Sequence, residues 1–146
     1  MYADALTQIL GDNALHQDIN LPGGNGKVPY ALRREMGEAT ANLLLQEGHE
    51  NKTYTITGSH AFGYKEIAET LGKLTGNTIT YTDISEDDFK NFLKQIGLPD
   101  FAIYLHACTL HDIKMQQYEL ESSVMETLLG KPTASPEEFL KELFNL

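Results

Sequence analysis

The sequence predicts an α/β fold, a small sheet flanked by helices with an all-helical carboxy-terminal part. Three observations predict it. Strand-like and helical patterns alternate between residues 28 and 96. The segments 52–57 and 78–84 are rich in β-formers and flank a helix with regular apolar spacing. Beyond Gly97-Leu98-Pro99 the signals are helical alone. At 146 residues the chain has the size of a single domain, and residues 1–146 are read as one unit.

The elements follow in order. Tyr2 to Leu10 puts Leu6, Ile9 and Leu10 at helical spacing, and Gly11-Asp12-Asn13 ends the run. Ala14 to Ile19 and Lys27 to Leu32 read as two extended pieces around the turn Leu21-Pro22-Gly23-Gly24-Asn25-Gly26, a hairpin or irregular β excursion. Glu35 to Glu47 is an amphipathic helix with Met36, Ala39, Leu43 and Leu44 inward and Gly48 as its stop. Lys52 to Thr57 alternates as a strand, Tyr64 to Leu74 as a helix with Ile67, Leu71 and Leu74 inward, and Thr78 to Ile84 as a second strand. Ser85 caps a helix that opens on Glu86, Asp87 and Asp88, where acids suit the positive end of the helix dipole. Phe101 to Tyr118 is long and apolar, Ser122 to Leu129 is a short helix stopped by Gly130, and Ser135-Pro136 starts the last helix.

Composition narrows the function. The net charge of −10 comes with scattered lysines and arginines, which argues against nucleic acid as a partner. No apolar stretch approaches the ~20 residues that span a bilayer. The first residues carry Asp4 and Asp12 where a signal peptide is apolar. The single cysteine, Cys108, excludes an intrachain disulfide and makes the cytoplasm the expected compartment.

Few motifs carry chemistry. His106, Cys108 and His111 suggest a metal, but histidines five apart on a helix diverge by about 140° and share no face. A buried thiol with partly exposed imidazoles accounts for them, and no metal site is predicted. Asp87 and Asp88 are accounted for by the helix start. Gly58-Ser-His-Ala-Phe-Gly63 has the gap of a phosphate loop, but Tyr64-Lys65-Glu66 stands where Gly-Lys-Ser/Thr is required. Gly24-Asn25-Gly26 lacks both a preceding apolar strand and a third glycine, which Pro29 displaces, so it reads as a turn.

Several pieces taken together resemble the second half of NmrA-like proteins, atypical short-chain dehydrogenases/reductases that include quinone and triphenylmethane-dye reductases. These pieces are Arg33-Arg34-Glu35 before Gly37-Glu38-Ala39-Thr40-Ala41, Tyr54-Thr-Ile-Thr-Gly58, and Thr75-Gly76-Asn77-Thr78-Ile79-Thr80-Tyr81. Gly97-Leu98-Pro99, then Leu128-Leu129-Gly130-Lys131-Pro132-Thr133 and Glu138-Phe139-Leu140, complete the order over nearly the whole chain. Three departures stand out. Glu35 replaces an aspartate, Gln116 and Gln117 lie where a glycine is common, and Tyr2-Ala3-Asp4-Ala5 keeps the lid aromatic but lacks its amide.

The resemblance implies the substrate-side portion of an extended Rossmann-type reductase. It implies NADP or NAD for a complete family member, and an aromatic pocket for a quinone-type acceptor. By the resemblance Tyr2, Tyr30, Arg33, Phe101 and Tyr104 are the candidate pocket residues, each weighed against an ordinary core or surface role. No catalytic residue is assigned. No tyrosine has a lysine four positions on, and no glycine-rich strand-loop-helix can receive a pyrophosphate, so the chain alone is expected to bind no cofactor and to be incompetent in hydride transfer. A homodimer, or association with a separate nucleotide-binding domain, is expected to cover the apolar surface left open. Two alternatives stand beside this reading: a stand-alone binding module for a small aromatic ligand, and a regulatory protein-interaction domain.

Overall fold

Helices form where apolar spacing and end signals coincide. The computed structural model describes residues 1–11 and 13–146; Asp12, within the expected turn after the first helix, lies outside the described residues. A 3-10 turn, Ala3–Ala5, leads into α1 (Leu6–Leu10). α2 is Arg33–Leu44, α3 Tyr64–Thr75, α4 Glu86–Gln95, α5 Asp100–Lys114, α6 Val124–Leu129 and α7 Pro136–Phe144. Ser85 Oγ accepts the Asp88 N–H at 3.1 Å to cap α4. At α7, Ser135 Oγ accepts the Glu138 N–H at 3.3 Å and Glu138 Oε2 accepts the Ser135 N–H at 2.8 Å, a reciprocal box with Pro136 as the first helical residue. Gly130 closes α6 in the left-handed region, φ 68°, where a side chain would be strained.

The expected fold class holds, but its sheet is built differently. β1 (Ile19–Asn20) pairs in parallel with β4 (Tyr81–Thr82), Ile19 opposite Tyr81. β2 (Lys27–Val28) pairs antiparallel with β3 (Phe62–Gly63), Val28 opposite Phe62. The two arms around the glycine turn are therefore not a hairpin, since each has its own distant partner. The strand expected over 52–57 makes no ladder. Its end lies against Pro29, whose carbonyl accepts from the Gly58 N–H at 3.3 Å and the Thr57 hydroxyl at 3.0 Å. Proline has no N–H to return, so reciprocal pairing stops there. α2 also ends short of the expected Glu47, and Leu44 faces solvent rather than the core.

The main core joins α1, α3, α5 and α7 through Leu6, Ile67, Leu71, Leu110, Ile113, Phe139 and Leu140. Two glycines let backbone segments touch within it. A Cβ on Gly26 would strike the Ile113 carbonyl, and one on Gly58 the Tyr30 carbonyl. Tyr64 packs on Tyr81 with ring centroids 5.7 Å apart, and its buried hydroxyl has no hydrogen-bond partner among the described residues.

A smaller core lies between α2 and α6: Ala39, Met125, Leu128 and Leu129. Polar ties reinforce it. Buried Glu35 accepts the Ala134 N–H on both carboxylate oxygens at 3.2 Å. Arg34 pairs with Glu142 at 2.9 Å, Lys131 with Glu38 at 3.0 Å, and Asn42 Nδ2 donates to the Leu128 carbonyl at 2.9 Å. These ties fasten the carboxy-terminal segment across α2.

Candidate functional site

Tyr2 enters the fold through a parallel bridge to Ala31, in which the Ala3 N–H donates to the Ala31 carbonyl at 2.9 Å and the Ala31 N–H to the Met1 carbonyl at 3.2 Å. This fixes the start of the chain against the entry to α2. Beside it lies a groove of about 360 Å³ lined by Met1, Tyr2, Ala5, Ala31, Met36, Ile56, Thr57 and Tyr118. The volume falls within the range of small-molecule sites. Its lining is mostly apolar, with one aliphatic hydroxyl and two phenols.

A charged rim stands next to Tyr2. The Arg33 guanidinium carbon lies 5.7 Å from the Tyr2 ring centroid, within cation–π range. Arg33 Nε meets Asp4 Oδ1 at 3.2 Å, and Asp4 Oδ2 accepts the Arg33 backbone N–H at 3.2 Å. Partial burial opposes ionisation of Asp4, but hydrogen bonds from the Arg33 backbone and side chain outweigh it and hold the carboxyl below its usual range. Asp4 stands one residue before Ala5, where the lid amide is missing, and its carboxylate orients Arg33. The guanidinium remains largely exposed, with donors free to meet an acceptor oxygen.

The five residues singled out in the sequence are distributed unevenly. Tyr2 lines this groove, and Arg33 lies against the Tyr2 ring without lining the groove itself. Tyr30 is buried, 3% exposed, with its ring 6.2 Å from Phe139, and it lines a different cavity although its neighbour Ala31 lines this one. Phe101 and Tyr104 project from α5, 72% and 64% exposed, and line neither cavity. Sequence reasoning overlooked Tyr118, which the turn after α5 brings to the groove; there Gln116 takes a left-handed φ of 60°. The signal was available, because residues 116–117 are where the resembling family commonly has glycine.

The loops that might hold a dinucleotide pyrophosphate do not fit one. The Gly24 N–H donates to Asp83 Oδ1 at 3.0 Å, and the Gly26 N–H to the Gly23 carbonyl at 3.2 Å. In the 58–63 loop the Ala61 N–H donates to Glu121 Oε1 at 2.8 Å and the Gly63 N–H to Glu66 Oε2 at 2.9 Å. The Gly24, Ala61 and Gly63 amides are committed to the chain's own carboxylates, which would also repel phosphate, and the Gly26 amide to a backbone carbonyl. His111 likewise pairs with Glu86 at 2.7 Å, and no group of three metal-ligating side chains occurs among the described residues. No described helix is long and apolar enough to cross a membrane.

Comparison with known proteins places these features. No protein-family model matches the chain. Quinone oxidoreductase 2 of Escherichia coli is 34% identical over 125 residues, covering 84% of this chain and 43% of that protein. The NAD(P)H azoreductase of Xenophilus azovorans is 26% identical over 97% of this chain and 47% of its own length. Among solved structures, the Escherichia coli NADPH-dependent quinone oxidoreductase in complex with NADPH superimposes with a TM-score of 0.85 at 29% identity, over 99% of this chain and 51% of that one. The triphenylmethane reductase of Citrobacter sp. gives a TM-score of 0.89 at 25% identity, over all of this chain and 51% of that one. The chain thus spans about half the length of the relatives it matches. Its architecture matches the carboxy-terminal part of a Rossmann-like reductase. On the order of its motifs, its fold and these relatives, the chain belongs to the NmrA-like family of NAD(P)-binding proteins.

Proposed function

We propose that this chain forms the substrate-side wall of an NAD(P)H-dependent oxidoreductase acting on a quinone-type acceptor, and that hydride transfer requires a nucleotide-binding half. The observation that carries the reading is an apolar groove lined by Tyr2, with Arg33 beside the Tyr2 ring, in a chain whose glycine-turn amides donate to its own oxygens. In this reading a planar quinone stacks on Tyr2 and receives a hydrogen bond from Arg33 at a carbonyl oxygen, where negative charge develops on reduction. Tyr30 lies outside this groove, and burial raises its phenol far above the usual range, so we assign it no part in proton transfer. Phe101 and Tyr104 complete the pocket only when another surface covers α5. The exposed apolar side chains Phe92 on α4, Ile96 just after it, and Phe101, Tyr104 and Leu105 on α5 favour such a cover, a second copy or a nucleotide-binding unit.

The test is a thermal-shift titration of the isolated chain with menadione, NADPH and NADH. Menadione is expected to stabilise it without nucleotide, by about 2.7 kcal/mol at 100 times its Kd, and the nucleotides to have no effect. Stabilisation by NADPH alone would overturn the division of labour, and loss of the menadione effect should follow Tyr2→Ala with Arg33→Ala. Light scattering that shows a monomer at every accessible concentration would remove the second copy as the cover.

A further inference from the structure

A second groove lies on the other side of the 30–31 backbone, between the 58–62 loop and the start of α7. It encloses about 390 Å³. Its floor is aromatic: Tyr30 and Phe62 line it, and each ring packs 6.2 Å from Phe139 beneath. Two carboxylates, Glu126 and Glu138, and the His60 imidazole complete the working side chains.

Both carboxylates are half-committed. Glu126 Oε1 accepts from Ser59 Oγ at 2.7 Å and from the Thr133 N–H at 3.4 Å, while Oε2 has no partner among the described residues. Glu138 Oε2 accepts from the Ser135 N–H and hydroxyl, both at 2.8 Å, while Oε1 has none. The Ser59 hydroxyl and the Ser135 backbone N–H, respectively, lead in holding the two carboxyls below their usual range, so both are anionic near neutral pH. The nearby fixed cations are engaged elsewhere. Arg34 is held by Glu142 at 2.9 Å and Lys141 by Glu137 at 2.6 Å. The groove is therefore lined by two carboxylates, each with one oxygen unpartnered among the described residues, together with the rings of Tyr30 and Phe62.

We infer that this groove binds a small organic cation with an apolar body, such as a protonated arylalkylamine. The ammonium would take the uncommitted oxygens of Glu126 and Glu138 by charge-assisted hydrogen bonds, and the apolar part would lie on Tyr30 and Phe62. A hydrated metal ion fits less well, because the aromatic floor supplies no oxygen ligands. The inference is independent of the quinone reading, which concerns the Tyr2 groove.

The test is an amide-shift titration of the isotope-labelled full chain with 2-phenylethylammonium at neutral pH. Phenylacetate and 2-phenylethanol serve as anionic and neutral counterparts. Saturable shifts are expected at His60, Thr133, Ser135 and Glu138, with binding at least about tenfold weaker for both counterparts. The double variant Glu126→Gln, Glu138→Gln should lose affinity by about tenfold or more while keeping the spectrum of a folded chain. Should that variant unfold, Phe62→Ala with both acids intact provides the second measurement, and it too should weaken binding. Equal binding of 2-phenylethanol, shifts centred on Tyr2 and Tyr118, or unchanged affinity in the folded variants would overturn the assignment, as would no saturable shift.

Discussion

Replacing Glu35 tests how the carboxy-terminal segment is held. The side chain is 3% exposed, and its two oxygens share one donor, the Ala134 N–H at 3.2 Å. Hydrogen bonds to charged groups contribute about 1.5–3 kcal/mol, and stranding the donor has a similar cost. Alanine removes this bond but also relieves the desolvation of a buried carboxylate, which brings the expected loss to about 2 kcal/mol. A chain of 146 residues unfolds with an entropy of about 0.3 kcal/mol/K, so Glu35→Ala should melt about 7 °C lower. Glu35→Gln keeps an acceptor oxygen without charge and should lose about half as much. Urea denaturation followed by circular dichroism gives the free energies, and amide exchange at Ala134 should quicken selectively in the alanine variant. If both variants lie within about 0.5 kcal/mol of the parent and Ala134 exchanges unchanged, the tie is not what holds the segment.

Four other perturbations have definite signs. Gly58→Ala drives a methyl into the Tyr30 carbonyl and should destabilise by about 3 kcal/mol or abolish folding, whereas Gly37→Ala, in open space on α2, should stabilise by about 0.5–1 kcal/mol in the same melts. Gln116→Gly relieves a left-handed residue and should raise stability by about 0.5 kcal/mol; a loss would mean that the side chain does something the backbone does not reveal. Glu126 and Glu138 have folded-state pKa values below their ordinary 4.5, and Asp18 below its ordinary 3.8, led by hydrogen bonds from Ser59, Ser135 and Thr80 respectively. Their stabilisation is complete above those ordinary values and is lost as pH falls through the lowered ones. The urea midpoint should therefore decline below about pH 4.5, and less steeply for Glu126→Gln; a decline centred on pH 6–7 would contradict this.

The helices were legible in the sequence because their signals are local. Ser85, Ser135-Pro136 and Gly130 mark their ends through bonds within a few residues, and Ile67 and Leu71 show their faces by spacing. The sheet was not, since β pairing joins residues such as Ile19 and Tyr81, and nothing near either one specifies the other. The 52–57 segment shows the limit from the other side. Its alternation is that of a strand, but whether it becomes one depends on a neighbour, and that neighbour is Pro29. The resemblance singled out Tyr2, which lines one groove, and Arg33, which lies beside its ring. The acidic groove was not legible, because Ser59, Glu126 and Glu138 meet only after α6 and α7 fold back on the 58–62 loop.

The first turn of α2 has a position with thermodynamic meaning. Glu35 grips Ala134, which lines the acidic groove, while the adjacent Met36 lines the groove at Tyr2. The two grooves are thus joined through adjacent residues of one helical turn. If ligands in both grooves shift that turn, linkage requires each to change the other's affinity by the same factor.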